Sequence, residues 1–218
     1  MFNQFKTHII RGLLSTATVL SLATSALAAS PAQFDNAYAQ FQQARGGNES
    51  AIGQSQASFA SLLKTEPGNP VLLAYVGATT SMQANTTWLP WKKMSFAEDG
   101  MALLDKALAM LSAAHEAPQQ HNLPAVLEVK FVAAKTFLAV PSFMNRQARG
   151  VKLLGEILLS PVLASAPLEF RGDVWMTAAE LASKDKRPDE ARKYLGEVIK
   201  ASAPQASAAR AQLKAIQS

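Results

Sequence analysis

The chain contains no cysteine, which excludes disulfides, thiolate metal sites and the lipid-modified cysteine that anchors bacterial lipoproteins. Histidine is scarce, with three in the whole sequence. Only His115 and His121 lie beyond the N-terminal segment. They flank the turn Ala117-Pro118-Gln119-Gln120 with Glu116 as the one adjacent acid, a set that reads as solvated loop residues rather than metal ligands. Charge is also sparse: the formal excess is +5, and Lys6 and Arg11 at the N-terminus supply two of it. The remainder is too small for a nucleic-acid footprint, which needs clustered Lys and Arg opposite many phosphates. No G-x-S-x-G elbow and no H-E-x-x-H helix occurs. Gly46-Gly47 lacks the preceding strand and following lysine of a phosphate loop. The acidic pairs Glu98-Asp99 and Asp189-Glu190 fall near expected helix starts, where they suit the helix dipole. No catalytic residue, cofactor or metal is expected, and no nucleic-acid partner.

What is present begins with a leader. Lys6 and Arg11 form a positive n-region, Leu13 to Leu27 is uncharged and apolar or small, and Ala26-Leu27-Ala28 supplies a small-x-small cleavage pattern. The expectation is a signal peptide over residues 1–28, cleaved after Ala28, and an exported protein of the bacterial periplasm. The run is interrupted by Ser15, Thr16, Thr18, Ser21, Thr24 and Ser25 and falls short of the roughly 20 apolar residues that span a bilayer. No later stretch is long enough either, so the mature chain is expected to lack a transmembrane segment. Residues 29–218 are read as one domain.

Apolar and small residues recur at i, i+3, i+4 and i+7 between proline, glycine and asparagine punctuation, and few runs alternate with period two. The reading is all-α. Nine helices are expected: Pro31 to Gly46, Asn48 to Glu66, Pro70 to Ala84, Met94 to Glu116, Pro124 to Pro141, Asn145 to Leu159, Pro167 to Ser183, one from Pro188, and a short one from Pro204. Phe34, Tyr38 and Phe41 form the apolar stripe of the first.

Two registers carry a family resemblance. Trp175, Ala178, Ala179 and Ala182, followed by Ala191, Leu195 and Val198, place large, small and medium residues on two consecutive helices, with Lys186-Arg187-Pro188-Asp189-Glu190-Ala191 as the turn. Ser55, Phe59, Leu62 and Pro67, followed by Pro70, Leu73, Val76 and Gly77, repeat the scheme earlier. Gly100, Leu104 and Ala107 fit less closely after an insertion around Gln83 to Lys93, and Gly150, Leu154, Ile157 and Pro161 fit loosely. The pattern resembles the tetratricopeptide repeat (TPR) family. That resemblance implies antiparallel helix pairs stacked as a short right-handed solenoid, with the helix from Pro204 as C-terminal cap. It further implies a concave groove lined by the first helix of each pair. The inward positions carried over are Val71, Ala74, Ala78, Ser81 and Met82 in one unit, and Asp173, Met176, Glu180, Ser183 and Lys184 in another.

The insertion Thr86-Thr87-Trp88-Leu89-Pro90-Trp91-Lys92-Lys93 holds two of the three tryptophans beside two lysines. One reading makes Trp88, Trp91, Lys92 and Lys93 a partner-contacting loop, since aromatic anchors dominate binding hot spots. The other, favoured by the large apolar area of an indole, folds both rings back to plug the second pair. A basic stretch, Lys130, Lys135, Arg146, Arg149 and Lys152, has only Glu128 and Glu156 near it in sequence. It reads as a solvated surface or, less simply, a patch for an acidic peptide or headgroup.

The function expected is a non-enzymatic TPR-like adaptor of the cell envelope that binds a protein or peptide partner and assists assembly or regulation of a complex. An envelope enzyme with an unrecognised catalytic carboxylate, or a small-ligand or glycan carrier on the same helices, is the alternative.

Overall fold

The first helix, α1 (Pro31–Arg45), starts on a capping box: the Ser30 hydroxyl accepts from the Gln33 backbone N–H at 3.3 Å, and the Gln33 side chain accepts from the Ser30 N–H at 3.1 Å. The Ser30 N–H gains an acceptor it would otherwise lack at a helix start, and the Gln33 N–H a second one beside the Ser30 carbonyl at 3.0 Å. The computed structural model describes residues 30–118 and 122–217; the segment expected to be a leader and His121 lie outside the described residues. Among the described residues eight more α-helices follow: α2 (Glu49–Thr65), α3 (Pro70–Met82), α4 (Pro90–Ala109), α5 (Ala125–Ala139), α6 (Gln147–Leu158), α7 (Leu168–Lys184), α8 (Pro188–Lys200) and α9 (Ala206–Gln217). An isolated bridge between Pro118 and Pro124 is the one β-type pairing among them.

The helix borders follow local chemistry. Pro70 and Pro188 occupy first turns, where the missing N–H costs nothing. Asn69 caps α3 by accepting from the Val71 and Leu72 N–H groups at 2.9 and 3.3 Å. Asn48 stands at the N-cap of α2, but its side chain accepts from the Ser50 hydroxyl at 2.8 Å rather than from the backbone. The fourth helix departs most from expectation. It begins at Pro90, because proline is pre-organised for that position, and ends at Ala109. Ser112 then caps a short 3₁₀ turn, Ala113–Glu116, through the His115 ring. α6 begins after Asn145, whose φ of 55° is left-handed and ends the preceding 3₁₀ turn.

The helices pack as neighbouring pairs, α1 with α2, α3 with α4, α5 with α6 and α7 with α8, with α9 laid on α8. α3 also packs on α2 and directly on α5, so it is enclosed on almost every side. The tightest crossing is α3 with α4. A Cβ at Gly100 would lie 2.5 Å from the Gly77 carbonyl oxygen and the Ser81 nitrogen, and one at Gly77 would lie 2.8 Å from the Gly100 oxygen. Backbone meets backbone there, and the small positions of the sequence register supply the reason.

One core runs from Phe34 to Ala178, with an aromatic cluster at its N-terminal end: Tyr75 stacks on Phe59 at 4.5 Å between centroids and meets the Phe41 edge at 5.0 Å. Met176, Ala179, Leu195 and Val198 form a separate cluster joining α7, α8 and α9. Trp175 is only half-buried against it, with the Arg171 guanidinium 5.8 Å from its ring. Trp175→Ala is therefore expected to destabilise by about 2 kcal/mol, below the roughly 3–5 of a fully enclosed Trp. A denaturant melt checks it; no change would remove Trp175 from the α7–α8 contact.

Candidate functional site

Alternate helices line one cleft. α1 contributes Tyr38, Phe41 and Arg45; α3 contributes Tyr75, Ala78 and Met82; α5 contributes Glu128, Phe131 and Lys135; α7 contributes Glu169, Phe170 and Asp173. The cleft has a volume of about 560 Å³, within the range of ligand sites, which are largely apolar with a few convergent polar groups. A smaller recess of about 290 Å³ lies between α5 and α7, shares Lys135 and Ala139 with it, and adds Gln147, Glu180 and Lys184.

At the cleft the buried Tyr75 hydroxyl donates to Glu128 Oε1 at 2.6 Å. Glu128 is only 2% exposed, and its Oε2 has no hydrogen-bond partner among the described residues. Burial, only partly offset by the Tyr75 bond, pushes the Glu128 carboxyl from the ordinary 4.5 up to about 7. Tyr75 is held well above the usual phenol range by burial and then by the neighbouring carboxylate, and Tyr38 is pushed up to about 12 by the same causes. Lys135 is pulled below the ordinary lysine value, first by burial and then by Arg45, against the opposing pull of Glu180 and Asp173. Its ammonium lies 5.9 Å from the Phe131 ring and makes no ion pair among the described residues.

The expected groove positions divide. Ala78, Met82 and Asp173 line the cleft, and Glu180 and Lys184 the recess. Val71 and Ala74 do not: both are fully buried in the main core, because α3 is packed against α2, α4 and α5. Met176 is turned into the α7–α8–α9 cluster. Ser183 is exposed on α7 but lines neither cavity. Ser81 borders the cleft, yet its hydroxyl fills the space beside Gly100.

The core-plug reading of the insertion is overturned. Trp88 is 83% exposed and Trp91 67%, since Pro90 starts α4 and carries Trp91, Lys92 and Lys93 into an outward first turn. Ala84 and Asn85 line the cleft, so Trp88 stands three residues beyond its rim. The basic stretch is mostly neutralised: Lys130 pairs with Glu156 at 2.7 Å, and Arg146 and Arg149 both pair with Asp105 at 2.9 and 2.7 Å. Asp105, far away in sequence on α4, escaped the reading from neighbours. Lys135 is the member that faces the cleft.

Glu128 is the residue that sequence reasoning missed as a site. The signal was available: on α5 its neighbours one turn away, Ala125, Phe131 and Val132, are all apolar and buried, and a lone acid in such a register has to be enclosed or matched. Among the described residues no group of three or more His, Cys, Asp or Glu side chains could hold a metal ion, and no helix is long and apolar enough to cross a membrane. No family model, curated protein or solved structure matches the chain.

Proposed function

We propose that this protein is a TPR-like adaptor of the bacterial periplasm that holds a segment of an envelope protein in its cleft and thereby assists assembly or regulation of a complex. The observation that carries this reading is that the first helix of every pair, α1, α3, α5 and α7, contributes to one continuous cleft wall. Stacked pairs of the proposed solenoid place one helix of each pair on the binding side, and a partner then touches several pairs at once. The exposed Trp88 and Trp91, with Lys92 and Lys93 beside them, serve as a second anchor beyond the rim. The N-terminal leader pattern supports export.

The test is a crosslinking pull-down of the tagged protein from its own envelope, set against a Trp88→Ser, Trp91→Ser variant. Because both rings are solvent-facing, the variant is expected to melt within about 0.5 kcal/mol of the parent while losing most of the captured partner. Equal capture by both proteins would remove the tryptophans from the interface. Capture of no specific protein would turn the reading toward a small ligand, which the buried carboxyl of Glu128 favours.

A further inference from the structure

We propose that the cleft seats a protonated amine against Glu128, with the rings of Tyr38, Phe41, Tyr75 and Phe131 around it. The inference rests on the cleft being a binding site and names the chemistry it selects. Glu128 has one oxygen satisfied by Tyr75 and one enclosed with no hydrogen-bond partner among the described residues. Buried polar groups in folded proteins are nearly always paired, and an exception calls for an explanation. A carboxylate in an apolar wall is completed best by a donor that brings its own positive charge. The aromatic rings suit the same guest, because ring faces attract ammonium groups. Oε2 is buried, so a guest reaches it only when part of the cleft wall moves aside.

α5 adds direction. Lys135 lies seven residues after Glu128, on the same helix face and about 10 Å further along the axis. Lys135 makes no ion pair among the described residues, so an acidic group on a guest seated at Glu128 has a cation within reach there. The charged and titratable groups facing the Glu128 region are Tyr38 and Arg45 from α1, Tyr75 from α3, Lys135 on α5 itself, and Glu169 and Asp173 from α7.

The experiment is an NMR titration of the full mature chain with n-butylammonium, n-butanol and an acetylated, amidated tripeptide with a central lysine. The expected result is saturable binding of the amines on α5 and Tyr75, at least tenfold weaker binding of the alcohol, and at least tenfold loss in Glu128→Gln. The alkylammonium should also bind about thirtyfold more weakly at pH 5.5 than at pH 8.5, as the carboxyl takes up its proton. Tighter binding of the tripeptide assigns the guest to a peptide lysine; binding of butylammonium alone assigns it to a free amine. Butanol binding as well as butylammonium, no saturable binding of either amine, or equal amine binding by Glu128→Gln overturns the proposal. No saturable amine binding together with a partner still captured would refute amine recognition and leave the adaptor reading standing. Amine binding without any captured protein would do the reverse.

Discussion

Glu128→Gln is expected to make the protein more stable at pH 8 and leave it unchanged near pH 4. The carboxyl titrates near 4.5 when the chain is unfolded and about 7 when folded. Below pH 4.5 both states hold the proton and Glu128 costs nothing extra. Between those values the unfolded state releases its proton while the folded state keeps it, so stability falls as pH rises. Above pH 7 the loss is complete, at about 3 kcal/mol for a shift of that size. Glutamine imitates the protonated acid, still accepts from Tyr75, and cannot ionise. The variant should therefore melt about 8 °C above the parent at pH 8, taking the usual relation between stability and melting temperature for a domain of this size, and together with it at pH 4. Parallel melting curves across that interval would show that Glu128 ionises freely and is not the enclosed group described above.

The second large effect concerns the α3–α4 crossing. Gly100→Ala places a methyl 2.5 Å from backbone atoms of Gly77 and Ser81, and neither backbone can yield without moving a helix. The expected loss is about 3 kcal/mol or more, at the upper end of overpacking effects. Gly172→Ala is the control. Its Cβ meets chiefly the Gln205 side-chain end, which can rotate away. The cost there is about 1 kcal/mol, mainly the Gln205 hydrogen bonds to the Glu169 carbonyl and Asp173 Oδ1. Chemical denaturation of the two variants side by side decides it, and equal losses would mean that α3 and α4 do not touch along their backbones.

How far the sequence told this story differs between fold and site. Prolines that fix helix starts act over three or four residues, so Pro70 and Pro188 were legible. Pro90 carried the same information, but Trp88 and Trp91 beside it drew the reading toward an insertion loop. Val71 and Ala74 were carried over from the repeat resemblance, which assigns a helix face by register and not how far the neighbouring helices of this chain bury it. The Glu128–Tyr75 bond joins residues 53 positions apart, and no local pattern encodes such a pairing. The Arg146 and Arg149 contacts to Asp105 failed to show for the same reason. Lone charges inside apolar registers were the usable hint: Glu128 and Lys135 both sit on α5, and both face the cleft.

The most direct test of the account places a photocrosslinking amino acid at Asn85, at Ala139 and at Ser61, one position at a time, in the living cell. Asn85 and Ala139 are exposed residues of the cleft wall, whereas Ser61 is exposed on α2, away from the cleft lining. The account predicts one shared partner crosslinked from Asn85 and Ala139 and absent from Ser61. A partner captured from Ser61 alone would place the binding surface on the other side of the helix pairs and contradict it.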